Sequence, residues 1–213
     1  MKRTKEEALQ TREALLDAAV EVFYHRGVAR STMEQIARAA GVTRGALYWH
    51  FCNKEDLLDA LCQRHFATVE AQLGPAEEAA QAEVTLQQLL ESFTQFLEHM
   101  PHDQQAHHFM AILHLKCEET EDNRMVTDLL QRYRNLMNQR VRYAIEYSQR
   151  VGQLPAHVDA RLGAILLQSC VLGIMSHWLM NPEAYDIAKK ARSLLQACAF
   201  MLEHAPSLRN QTA

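Results

Sequence analysis

The sequence predicts an all-α protein: a small N-terminal helix-turn-helix module followed by a larger helical body. Three observations lead there. Ala, Leu, Gln, Glu and Arg dominate the 213 residues, and all of them favour helix. Only 7 Gly and 5 Pro are available, too few for the turns of a sheet protein. Apolar residues recur at three- and four-residue spacing between capping signals, the pattern of amphipathic helices. A 48% hydrophobic content is enough for a sizeable core that needs no disulfide or metal to fold.

The elements follow in order. From Glu6 to Gly27 the residues Leu9, Leu15, Leu16, Ala19, Val20, Val22 and Phe23 form one helical face, and Gly27 supplies the left-handed residue that ends such a helix. Ser31 and Thr32 each precede an acid or amide by three residues, the signature of a capped start; a short helix then runs through Ile36 and Ala37 to Gly41. Thr43 caps a third helix of barely two turns, Arg44 to Trp49. Asn53 caps a fourth, with Leu57, Leu58, Leu61 and Phe66 on one face, stopped by Gly74 and Pro75. The Ala/Glu/Gln-rich stretch 75–84 lacks periodicity and reads as a connection. Five helices of ordinary length complete a set of nine: about 85–100, 104–118, 123–151, 159–180 and 186–204, with Pro101, Gly152, Asn181-Pro182 and Pro206 as stops.

Charge divides the chain unevenly. Residues 1–54 carry a net +3 and the remainder −7, so only the N-terminal part suits a polyanion. No stretch is expected to supply the roughly 20 apolar residues that span a bilayer, and the charged start lacks the apolar core of a signal peptide. A cytoplasmic protein without membrane contact is therefore expected. Five scattered cysteines fit reduced thiols. Cys62, Cys117 and Cys170 give little support to a redox switch, since buried cysteines in apolar helices are generally inert.

The residues with functional chemistry lie near the start. Two short helices joined by Ala40-Gly41-Val42-Thr43 have the proportions of a helix-turn-helix, whose second helix enters the major groove of DNA. Its leading turn carries Arg44 beside the small residues Gly45 and Ala46. An arginine there can bond a guanine edge in two places. Thr43, Tyr48, His50 and Lys54 supply side-chain donors for phosphates, and the helix turn beginning at Thr32 can present backbone N–H groups to one; Lys54 in a first helical turn opposes the helix dipole unless it has an anion to meet. Trp49 and Phe51 serve equally as core or as contact residues. Lys2, Arg3 and Lys5 form a basic arm.

From Ser31 through Phe51 and on through Asn53-Lys54-Glu55-Asp56-Leu57-Leu58, the sequence resembles the TetR family of regulators, and within it the AcrR, MtrR and TtgR branch of multidrug-efflux repressors. Leu113-His114-Leu115-Lys116-Cys117-Glu118 and Pro206-Ser207-Leu208-Arg209 agree with that branch. The resemblance implies nine or ten helices, a dimer through the last two, and a ligand pocket in the body. It implies a repressor released from a palindromic operator by a hydrophobic or cationic drug-like molecule.

For the body, the expectations are broader. Phe66, Phe93, Phe109, Met110, Leu113 and Met137, then Leu172 and Trp178, with His114, Cys117, Gln168 and His177 as scarce polar groups, describe either plain core or an adaptable drug cavity. Leu162, Ile165, Leu166, Ser169 and Gly173 on one helix, and Leu194, Ala197, Cys198 and Met201 on the next, offer more apolar surface than one chain covers, and so a two-fold dimer interface. The histidines between His99 and His114 lack the spacing of a metal motif, so no metal or cofactor is expected. Nucleophile elbow and phosphate loop are both missing, so no catalytic residue is expected and the chain is not read as an enzyme. The functional division is placed at residue 54: 1–54 for DNA, 55–213 for ligand binding and dimerisation.

Overall fold

A computed structural model describes residues 5–75, 78–117 and 124–209. Among the described residues there are nine α-helices: α1 Lys5–Arg26, α2 Met33–Ala39, α3 Arg44–His50, α4 Lys54–Leu73, α5 Leu86–His99, α6 Gln104–Ala111, α7 Arg124–Arg150, α8 Ala160–Met180 and α9 Ile187–His204. The chain forms two compact units, one of Met1–Phe66 with Asp103–Gln131, the other of Ala67–His102 with Arg132–Ala213. The order of residues along the chain therefore does not match the order of packing, and α4 and α7 each contribute residues to both units.

In the first unit α1 is the central strut. Leu15, Leu16, Ala19, Val20 and Phe23 on its inner face are fully enclosed, as are Ile36 of α2, Leu47 of α3 and Leu57, Leu58 and Leu61 of α4. Burying each such side chain contributes about 1.5–3 kcal/mol. Gly27 ends α1 at φ +78°, its N–H bonded back to the Phe23 carbonyl at 2.8 Å. On the outer side of α1, Arg64 of α4 meets Asp17 at 2.7 Å and Glu13 at 3.4 Å.

The sequence leads one to expect a single helix over 104–118. Instead α6 ends at Ala111 and a π-helical turn, Ile112–Lys116, follows. Its last carbonyl, that of Lys116, accepts the Val28 N–H at 3.3 Å. The wider turn presents that carbonyl to the loop after α1, a tertiary contact that hydrophobic spacing does not encode.

In the second unit α9 packs on α5 and α8. Leu89, Val141, Ile145, Ala164, Leu167 and Leu202 centre one core. Gly163 lets α8 approach closely: a Cβ there would lie 2.5 Å from Leu202 Cδ1 and 3.0 Å from Ile145 Cδ1. Arg192 of α9 grips Glu91 of α5 through two hydrogen bonds of 2.8 and 3.1 Å. The buried Arg140 donates to the Gly74 carbonyl beyond the end of α4 at 2.7 Å, satisfying part of a helix C-terminus that lacks internal partners.

Two expectations need correction here. First, α8 is long and apolar enough to cross a membrane by length and composition, with a mean hydropathy of 1.6 over 18 residues, of which 33% are buried. Small residues at Gly163, Ala164, Ser169 and Gly173 break up the apolar run to the eye while leaving its hydropathy high. Second, Cys198 points into the core with 5% exposure, so it is a packing residue of the protomer and not part of an outer face; α9 turns Ala197 and Met201 outward instead.

Candidate nucleic-acid interface

The first unit builds its interface from caps upward. At α2, the Thr32 hydroxyl accepts the Gln35 N–H at 3.2 Å while the Gln35 side chain accepts the Thr32 N–H at 3.1 Å. Both backbone donors are thus used inside this capping box. Gly41, at φ +67°, turns the chain after α2, and the Val42 N–H returns to the Ala37 carbonyl at 3.0 Å. Thr43 then caps α3 by accepting the Ala46 N–H at 3.2 Å.

α3 has one inward residue in its middle, Leu47, completely buried, with Phe51 just past its end at 2% exposure. The Arg12 guanidinium lies over the Phe51 ring, 5.4 Å from its centroid. Ala46 and His50 are half-buried, and the remaining residues of the helix are exposed. Thr43, Arg44 and Gly45 are exposed, and beyond Gly45 there is open space within 4 Å of a would-be Cβ, so the front of the helix can approach a base-pair edge closely. Arg44 leans over Tyr48 at 5.4 Å, which aligns a cation and a phenol on one outward face. Trp49 is 74% exposed and meets the half-buried His50 edge-on at 4.5 Å. Of the two aromatics left open by the sequence, Phe51 belongs to the core and Trp49 to the surface. An indole this exposed gains little from folding and is suited to contact a partner.

Lys54 departs from the expectation. Its ammonium donates to the carbonyls of Val28 and Ala29 at 2.9 and 3.0 Å. The partner that offsets a cation in the first turn of α4 is therefore the loop after α1, and Lys54 acts chiefly as a bolt that sets where α4 begins. Asn53 caps that start, accepting the Asp56 N–H at 2.8 Å, while Asp56 accepts the Cys52 N–H at 3.0 Å. Lys5 is exposed at the start of α1; Lys2 and Arg3 lie outside the described residues.

The expected ligand residues separate between the units. In the first, Phe66, Phe109, Met110, Leu113, His114 and Cys117 occur together with a residue the sequence reading missed, His65. His65 stacks flat on Phe109, centroids 4.0 Å apart and planes within 1°, and Phe66 meets Phe109 edge-on at 6.3 Å. Phe109 is wholly enclosed and Met110 is 8% exposed, which is the behaviour of core. Burial, aided by the Arg64 charge and opposed by Asp103, pulls His65 down to about 4, so its ring is neutral near pH 7. Its Nε2 is enclosed without a hydrogen-bond partner among the described residues, as is Gln105 Oε1, one turn before Phe109 on α6. The signal for His65 was its place beside Phe66 on the inward side of α4, but a lone histidine in a polar run carries little weight without the stacking partner.

In the second unit the set disperses. Phe93 and Met137 are half-buried. Gln168 is tied to α7, donating to the Arg134 carbonyl at 2.8 Å and accepting from Asn138 at 2.9 Å. Trp178 is core, 5% exposed. Leu172 and His177 depart from the pocket expectation, lying on the exposed side of α8, where His177 stacks on Tyr185 at 5.8 Å. The same side carries Leu162, Ile165, Ser169 and Gly173, and α9 exposes Ala197, Phe200 and Met201, with Leu166 and Leu194 half-buried at the margins.

Comparison with known proteins now decides the family. Residues 15–61 match the model for bacterial regulatory proteins of the tetR family, and residues 85–204 match the C-terminal region of MAATS-type transcriptional repressors. The chain belongs to the TetR family. It is 34% identical to the HTH-type transcriptional regulator TtgR of Pseudomonas putida over 98% of this chain and 99% of that one. It is 33% identical to the regulator AcrR of Shigella flexneri over 98% and 97% of the two. Among solved structures it is similar to the SmeT–triclosan complex, with a TM-score of 0.80 and 28% identity over 95% of this chain and 96% of that one; SmeT is the repressor of the Stenotrophomonas maltophilia multidrug efflux pump SmeDEF. TetR membership makes this chain a DNA-binding transcriptional repressor and not an enzyme.

Proposed function

We propose that this TetR protein acts in the cytoplasm as a homodimeric repressor of a multidrug efflux operon, released from a palindromic operator by a hydrophobic or cationic drug-like molecule. The observation that carries the reading is α3: a short helix held by Leu47 and Phe51, capped by Thr43, that offers Arg44, Gly45, Tyr48 and Trp49 outward. Arg44 is the base reader. Thr32, Thr43, Tyr48 and His50 position the helix on phosphates, with Lys2, Arg3 and Lys5 as a basic arm, and Lys54 holds the frame and keeps a third N–H for phosphate. Residues 1–54 carry DNA binding, and 55–213 carry ligand binding and dimerisation.

The exposed apolar residues of α8 and α9, Leu162, Ile165, Phe200 and Met201 among them, support a dimer that covers both helices. Such a cover also accounts for the hydropathy of α8 in a protein with no need of a membrane. The relatives' efflux pumps and the SmeT ligand triclosan support a drug-sized effector. In the first unit, His65 brings an unpaired polar atom against Phe109, which Phe66 meets edge-on, and Gln105 Oε1 is likewise unpaired one turn earlier on α6; few polar groups with apolar walls suit such a molecule.

Anisotropy titration of the promoter adjacent to the gene, with and without triclosan and a cationic dye, tests the reading. Specific binding that either drug weakens supports it. Binding that no drug alters leaves a constitutive repressor as the better account.

A further inference from the structure

An acidic stripe runs along α1: Glu13, Asp17 and Glu21 stand four residues apart, which places them above one another on one face of the helix. Two other helices grip it. Arg64 of α4 holds the first two, 3.4 Å from Glu13 and 2.7 Å from Asp17. His108 of α6 holds the third, its Nδ1 2.9 Å from Glu21 Oε1; a carboxylate only accepts, so the imidazole donates. His108 is buried, and Tyr24 of α1 lies flat on its ring, centroids 3.8 Å apart and planes 12° apart. The other oxygen of Glu21 faces His25 Nε2 at 3.6 Å. Each gripping residue is also next in sequence to the aromatic cluster. His65 follows Arg64 and stacks on Phe109; Phe109 follows His108 and meets both His65 and Phe66. Consecutive residues of a helix point about 100° apart, so one member of each pair serves α1 while its neighbour serves the cluster.

We propose that this stripe is the positioning contact through which a drug-sized molecule seated against His65, Phe66 and Phe109 controls the reading helix, with Glu21–His108 as its α6 arm and Asp17–Arg64 as its α4 arm; the role rests on the effector reading of that cluster. A planar molecule that enters between His65 and Phe109 parts α4 from α6. Packed helices transmit such a displacement and do not absorb it locally, so Arg64 and His108 move with their neighbours. Charge-assisted hydrogen bonds are directional and weaken steeply once misaligned. Either an arm lets go or α1 changes its place. α1 packs on α2 and α2 on α3, and the loop after α1 supplies the Val28 and Ala29 carbonyls that fix Lys54. The position of α1 therefore sets that of α3. With both arms closed, α3 is held in the state that reads DNA. Coupling between two sites is reciprocal, so operator DNA must in turn hold the aromatic cluster closed.

The test compares the full-length protein with Glu21→Ala, Glu21→Gln and His108→Phe. Glu21 is only half-buried and a phenylalanine keeps the stack on Tyr24, so each variant should fold; thermal melting checks this. The first measurement is the ratio of triclosan affinities without and with saturating operator duplex, by calorimetry. It should fall by about 3–10-fold in Glu21→Ala and His108→Phe, with triclosan affinity for the free protein unchanged. Glu21→Gln, whose amide oxygen still accepts from His108, should keep most of the ratio. A residue that only stabilised the fold would lower the melting temperature and leave the ratio alone. The second measurement needs no drug: in histidine-labelled protein, operator duplex should shift the His65 ring signals of the wild type and not those of Glu21→Ala. An unchanged ratio or an unchanged His65 response in Glu21→Ala overturns the proposal and leaves the effector reading standing. A wild-type ratio of one removes triclosan as the effector and leaves the His65 response to decide the contact; a wild type without either effect overturns both readings.

Discussion

At the scale of single residues, three side chains separate reading, holding and titration. Arg44 reads. Its replacement by Ala should cost about 1–3 kcal/mol on the specific operator and little on random DNA; filter binding on the two duplexes measures the ratio, and an unchanged ratio would assign base reading to another residue. Lys54 holds. Replacing it with Met leaves the carbonyls of Val28 and Ala29 without their donor, which should lower unfolding stability by about 1–3 kcal/mol in a urea titration without DNA. A change confined to the salt dependence of DNA binding would return Lys54 to a phosphate role. His65 titrates. It is neutral in the fold down to about 4 and protonates near 6.5 when unfolded, so the unfolded chain binds more protons between those values. Stability must then fall as pH drops through that window. His65→Phe, which keeps the stack on Phe109, should lose less melting temperature than the wild type between pH 7 and pH 5; an equal loss would show that His65 is not depressed.

Elements show how far the sequence could be read. The ends of eight of the nine described helices, α6 excepted, are legible to within a few residues because caps and stops are local: Thr32, Thr43, Asn53, Gly27 and Gly74 act on their own neighbours along the chain. Hidden features depend on partners distant in sequence. The π-turn at Ile112–Lys116 needs Val28. The role of Lys54 needs the loop 26 residues earlier, and the inward turn of Cys198 needs the core around Ile145 and Leu202. The candidate site divides the same way: Arg44, Tyr48 and Gly45 follow from a local motif, while His65 gains meaning only from Phe109. Gly163 is a similar case. Its helical spacing gives no hint that α8 meets Leu202 and Ile145 there, both already enclosed. Gly163→Ala would gain helix propensity, worth about 0.5–1 kcal/mol. Overpacking should outweigh it, at about 1–3 kcal/mol, and a lower melting temperature is the expected outcome. A higher one would mean that Leu202 moves aside freely.

The molecule as a whole must place two copies of α3 on one operator, and that requires a dimer. Glycine 173 has open space around it, and Ala197 is exposed, so Gly173→Glu and Ala197→Glu should leave each protomer folded. They should nevertheless split the dimer by burying like charges against each other. Light scattering should then give the mass of one chain where the wild type gives two; an unaltered dimer would move the interface away from α8 and α9.

The most direct test of the account is a footprint of the promoter beside the gene, made with wild-type protein and with Arg44→Ala at the same salt concentration. The account predicts a protected palindrome whose half-sites are centred about one helical turn of DNA apart or somewhat more, with protection lost in the Arg44 variant. Protection without two-fold symmetry, or an unchanged palindromic footprint from Arg44→Ala, would contradict a dimer that reads its operator through α3.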